Sequence, residues 1–264
     1  MPSVAAHYFF GQEVVSRVRA KSLNTAELIE KHKEVYNLGL QGPDLLFYFK
    51  PYYQNKINEL GQVIHSSPAV YLIERAARNI KEAECNEALA YLLGFACHFV
   101  LDSRMHGEIN KLAPTSRKHL LLEAEMDRQI IQNFYLENAN SFKRHLLVKN
   151  DIKKMDYLKQ IYPEIKPSEI KKCAKSFIFY LKLLTCKTNS KKRMLEMAEA
   201  LVCKDSPFTA MIVSNNVNEF FRPAEHLCVK LESTISEGAF AVENIYEHII
   251  KSKPLHYMFN KNFE

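Results

Sequence analysis

Two ladders of imidazole and carboxylate groups, set into apolar sequence, limit what this chain can fold into more than any other feature. His98, Asp102 and His106 recur every four residues, and on an α-helix that spacing places them on one face. His119, Glu123 and Asp127 repeat the pattern shortly afterwards. Phe95, Phe99, Val100 and Leu101 flank the first ladder, and Leu120, Leu121, Leu122 and Met126 flank the second. Imidazoles and carboxylates facing a packed interior are costly unless something satisfies them. A cluster of metal ions does so for the whole set at once. Taken singly, each histidine has the simpler explanation of a hydrogen-bonded core residue, and each acid that of a solvated one. Two ladders close together favour the metal reading.

The rest of the chain agrees with a helical framework. Only seven of its 264 residues are glycine, helix formers are plentiful, and few segments alternate with period two. These features predict an all-α fold, one helical domain over residues 1–264, long enough to bury a sizeable core. Residues 1–130 carry the candidate site, and residues 131–264 read as helical scaffold. The formal net charge is +6, and the excess falls after residue 142, in pairs such as Lys171-Lys172. Such pairs usually mark the solvated face of a helix, and otherwise an attraction to phosphate. The six cysteines form no CxxC pair, which fits free thiols in a reducing compartment. No secretory signal and no run of eighteen apolar residues is visible, so the expectation is a cytoplasmic protein with no transmembrane segment.

Along the chain, a first helix is expected over 6–19, with His7 near its start. A second is expected from the Asn24-Thr25 cap to about Gly39. The Gly42-Pro43-Asp44 turn leads into a short helix in which Asp44 is either a cap or a site residue. Of the aromatics that follow, most belong to the core, and Phe47 and Tyr48 are candidates to line a pocket. His65 falls in a loop ahead of a helix over 68–83. The first ladder lies on a helix from about Asn86 that stops at Gly107. Gly94, inside it, permits close packing or access for a metal. The second ladder lies on a helix opened by Pro114-Thr115-Ser116 and running to about Glu137. Cys97 points about 100° away from His98 and is not a ligand.

The candidate donors are therefore His7, Asp44, His65, His98, Asp102, His106, His119 and Glu123. Histidines and carboxylates with no thiolate suit hydrolytic zinc better than structural zinc. A central carboxylate that bridges allows more than one ion, as in multinuclear phosphoryl-transfer sites. The paired Glu-x-x-His motifs of di-iron bundles are absent.

In this order the residues resemble the zinc-dependent phospholipase C family, which shares an all-helical fold with the single-strand nucleases of the P1 type. The resemblance spans residues 1 to about 130. It implies one Zn2+ held by Asp44, His65, His98 and Asp102, and a second held by His106, His119 and Glu123. In the family a third ion uses the bridging acid, here Asp102, one histidine, here His7, and an N-terminal tryptophan. This chain contains no tryptophan and departs from the family there. The spacing from Asp102 to His106 is also shorter than in the secreted enzymes.

The resemblance implies metal-assisted hydrolysis of a phosphodiester, with Asp44 as general base as well as ligand. Zinc lowers the pKa of bound water towards about 7, so hydroxide exists at neutral pH. Asp127, one turn beyond Glu123, is expected to orient His119 or to pair with Arg128. The expected substrate is a phospholipid, with transient contact at a membrane surface and no specific nucleic-acid partner. Two other readings are a phosphodiesterase for soluble nucleotides or nucleic acid, and a helical protein that keeps zinc with its catalytic cluster incomplete.

Overall fold

A helical stretch that is apolar all the way round must be buried on every side, and residues 88–101 of the helix Asn86–Leu112, His98 apart, form such a stretch. In the structure, a computed structural model that describes residues 3–148, 154–202 and 207–263, it forms the centre of an all-α fold. Among the described residues there is no β-strand. The helices are α1 (Val4–Arg19), α2 (Leu23–Lys31), α3 (Lys33–Gly39), α4 (Lys56–Ser66) and α5 (Ala69–Ala83). The central helix is α6, followed by α7 (Ser116–Asn133), α8 (Pro167–Leu183), α9 (Asn189–Val202) and α10 (Phe221–Lys251). A 3-10 helix, Gly42–Tyr48, lies between α3 and α4.

Helices α1, α3, α5, α7 and α10 all pack against α6. The apolar core runs from Val4 to Phe263 and includes Phe10, Tyr36, Tyr91, Phe95, Phe99, Phe177 and Phe259. Both halves of the chain contribute to it. Gly94 settles into close packing: a Cβ there would lie 2.3 Å from the Tyr36 carbonyl oxygen and 2.9 Å from the Leu40 nitrogen. Backbone cannot retreat as a side chain can, so Gly94→Ala is expected to destabilise the fold by about 1–3 kcal/mol in denaturant unfolding. An unchanged midpoint would show that α3 shifts at little cost.

Several boundaries differ from those expected. Helix α6 does not stop at Gly107 but continues to Leu112, ending at Ala113 just before Pro114. Gly107 has no positive φ, so it supplies no left-handed stop, whereas a residue before proline is barred from the helical region. The second helix is broken at His32 into α2 and α3, and α2 begins at Leu23. His65 is not in a loop; it lies in the last turn of α4. Helix α7 ends at Asn133, four residues short of the expected Glu137.

Candidate metal centre

The eight candidate donors meet on the inner faces of five segments. His7 comes from the second turn of α1, Asp44 from the 3-10 helix and His65 from the end of α4. His98, Asp102 and His106 come from successive turns of α6, and His119 and Glu123 from α7. All except His119 are buried.

Asp102 sits at the middle. Its Oδ1 is 3.3 Å from His7 Nε2 and 3.5 Å from His106 Nε2. Its Oδ2 is 3.1 Å from His98 Nε2 and 3.9 Å from His65 Nε2. Beyond it, Asp44 Oδ1 lies 3.1 Å from His65 Nε2. Glu123 Oε1 lies 3.1 Å from His119 Nε2 and 4.0 Å from His106 Nε2. Three sets have donor atoms all within 4.8 Å of one another: Asp44, His65 and His98; His7, His98 and Asp102; and His106, His119 and Glu123.

These distances suit zinc. Donors 2.0–2.1 Å from a tetrahedral ion stand roughly 3.3 Å apart. The hydrogen bonding points the same way. His98 Nδ1 lies 3.2 Å from the Leu40 carbonyl oxygen and His65 Nδ1 lies 2.8 Å from that of Gly61. Each carbonyl can only accept, so each Nδ1 must carry a proton, and in the neutral ring the lone pair is at Nε2. His98 Nε2, His65 Nε2 and Asp102 Oδ2 are buried without a hydrogen-bond partner. Lone pairs facing carboxylate oxygens at 3.1 Å repel one another unless a cation stands among them. The donors present therefore fit bound zinc.

The ionisation states agree. Burial opposes charge on Asp102, but His98, His106 and His7 hold its pKa well below the usual carboxylate range. Burial likewise opposes Glu123, yet its pKa lies at about 2, with the hydrogen bond and charge of His119 and the charge of His106 among the causes that lower it. Burial lowers the pKa of His98 and of His106 against the pull of Asp102. At neutral pH these are ionised carboxylates beside neutral imidazoles, the forms in which both bind metal. His65 differs, because the Asp44 carboxylate overcomes burial and raises its pKa.

Local backbone explains the placement of the 3-10 helix. Gly42 has φ +49°, and a Cβ there would lie 2.4 Å from the His98 ring. Only glycine allows both the left-handed turn and the approach to that ring. The Tyr91 hydroxyl donates to the Gly42 carbonyl at 3.0 Å. Two turns of α6 thus hold the segment that presents Asp44. From the far end of the chain, Phe263 packs its ring 5.0 Å from that of His65 and 5.9 Å from that of His98.

Asp127 partners neither His119 nor Arg128. It accepts hydrogen bonds from the backbone nitrogens of Ala5 and Ala6, both at 3.0 Å, and from Ser3 Oγ at 3.1 Å. Its second oxygen lies 3.4 Å from Arg144 Nη1. It is thus the N-terminal cap of α1, supplied from another helix, and it fixes the turn that carries His7. Arg128 pairs instead with Glu125. Cys97 turns away to the Tyr36 hydroxyl, 3.2 Å from its sulfur.

Next to the donors lies a cavity of about 170 Å³ whose lining includes Asp44, Phe47, Tyr48, Tyr52, Tyr180 and Phe208. Phe47 and Tyr48 are the residues singled out from sequence. Tyr180, Pro207, Phe208 and Met211 come from the half read as scaffold and carry no local pattern that would have marked them. Asp44 belongs both to the donor set and to the cavity wall.

An all-helical frame thus encloses a buried set of histidine and carboxylate donors with spacing fit for zinc. The zinc-dependent phospholipase C family matches residues 6–183, and the chain belongs to that family. Neither a curated protein nor a solved structure matches the chain significantly.

Proposed function

We propose that the chain is a zinc-dependent phosphodiester hydrolase of the phospholipase C type. The observation that carries this reading is the position of Asp44, shared between a buried set of zinc-type donors and an aromatic cavity. A phosphate drawn to the donors would place its substituent in that cavity. When bound, zinc activates water for attack and neutralises charge that develops on the phosphate. Asp44, His65, His98 and Asp102 would hold one ion, and His106, His119 and Glu123 another. His7 and Asp102 offer donors for a third. Asp44, whose pKa is lowered in spite of burial with His65 and His98 among the causes, is positioned to take the proton of the attacking water and to orient it. Phe47, Tyr48 and Tyr180 exclude bulk water from that side of the site. The substrate on this reading is a phospholipid.

The reading is tested by zinc analysis of the purified protein beside hydrolysis of a chromogenic phosphocholine ester, a dispersed phospholipid and single-stranded DNA. Two or three zinc ions per chain with turnover of the choline ester and lipid support it. Turnover of DNA alone would move the chain to the nuclease branch of the fold. One zinc with no turnover of any substrate would leave a structural role.

A further inference from the structure

Beside the cavity, on the outer surface, runs a groove between the segment 48–53 and one face of α8. Lys172, Lys175, Ser176 and Phe179 follow helical spacing along that face, while Ile170, Cys173, Ala174, Phe177 and Leu181 of α8 turn inward. Phe49, Lys50, Tyr52 and Tyr53 form the opposite wall. Tyr53 is 72% exposed and Phe179 58%, which is unusual for rings that have a core nearby to enter. Among the described residues lining the groove there are three lysines and no carboxylate. Tyr48, Pro51, Tyr52 and Tyr180 line both groove and cavity. The rings of Tyr52 and Tyr180 are 6.3 Å apart, and those of Tyr52 and Phe208 6.5 Å, so one aromatic surface runs from the outside inward.

We propose that this face docks the protein on an anionic lipid surface, with the cavity mouth turned towards the bilayer. Exposed Tyr and Phe rings settle at the level of the headgroups, and lysines beside them are drawn to anionic lipid. Long lysine stems reach the phosphates while the rings enter the interface. Among the described residues no helix is long and apolar enough to cross a membrane, so attachment through this face is peripheral. The proposal rests on the phospholipase reading for its purpose, since docking here delivers a lipid headgroup next to Asp44. It does not rest on that reading for its test.

The test is co-sedimentation of the full chain with vesicles of phosphatidylcholine alone and of phosphatidylcholine mixed with phosphatidylglycerol. Binding to the mixed vesicles, weakened by salt, is expected. Lys172→Glu/Lys175→Glu should lower the partition coefficient at least about 10-fold at low salt. Tyr53→Ser/Phe179→Ser should lower it comparably. None of these four side chains touches the donors, and all are exposed, so turnover of a water-soluble phosphodiester should stay within about twofold of wild type and report an intact fold. Lys172→Gln/Lys175→Gln provides a milder pair, with a smaller loss in the same direction. Equal binding to both vesicle types, variants that bind like wild type, or capture of single-stranded DNA with vesicles ignored would overturn the proposal. A wild type that hydrolyses nothing yet sediments with anionic vesicles, and loses this in the variants, would sink the hydrolase reading alone.

Discussion

Asp102→Asn is expected to strip the site of every ion that shares this carboxylate. The carboxylate stands within 3.9 Å of the Nε2 atoms of His7, His65, His98 and His106, so both its oxygens serve two directions. An amide keeps the shape, removes the charge and turns an N–H group towards at least two of those nitrogens. Loss of a shared anionic donor weakens every ion that uses it. Activity should fall by at least about 10³-fold, with zinc content falling to no more than the one ion that His106, His119 and Glu123 can hold without Asp102 after dialysis against a weak chelator. The two readouts should move together. Full zinc content with lost activity would show that Asp102 acts on the substrate and not as a ligand. Full activity with full zinc would remove it from the site.

Asp127→Ala should cost more in stability than any exposed substitution. The carboxylate is fully buried and is the anion to which Arg144, itself buried, is paired. It also satisfies the first N–H groups of α1. Truncation leaves a buried guanidinium facing an empty space and two helix donors without acceptors. Removing one partner of a buried pair costs about 3–5 kcal/mol. For a chain of this length that is a fall in Tm of roughly 10 °C, measured with chelator present so that zinc binding does not enter. Asp127→Asn, which retains an acceptor for the helix donors, should lose less. Asp127→Ala/Arg144→Met removes the stranded charge and should recover part of the loss. A single variant within about 1 kcal/mol of wild type would show that water replaces the carboxylate.

The helical fold and the meeting of the donors were legible for one reason: a side-chain period of four survives wherever a helix exists. His98, Asp102 and His106 share a face whatever packs on it, and so do His119 and Glu123. The stops were not legible, because a glycine ends a helix only when the next contact requires positive φ, and nothing near Gly107 does. The Ser66-Ser67-Pro68 signal, which suggests a loop at His65, marks the start of α5 but also closes α4. The α1 groups that Asp127 caps lie more than 120 residues earlier in the chain, beyond any local pattern. The cavity wall from Tyr180, Phe208 and Met211 depends on tertiary packing alone.

That wall has an evolutionary consequence. The donors arise from the first half of the chain, whereas much of the wall comes from the second, joined to the first by packing and not by shared helices. Exchanges at Phe208 or Met211 reshape what the cavity admits while every ligating atom stays where it is. The shape of the cavity in this architecture can therefore drift at a periphery while the donors form a nearly immovable centre.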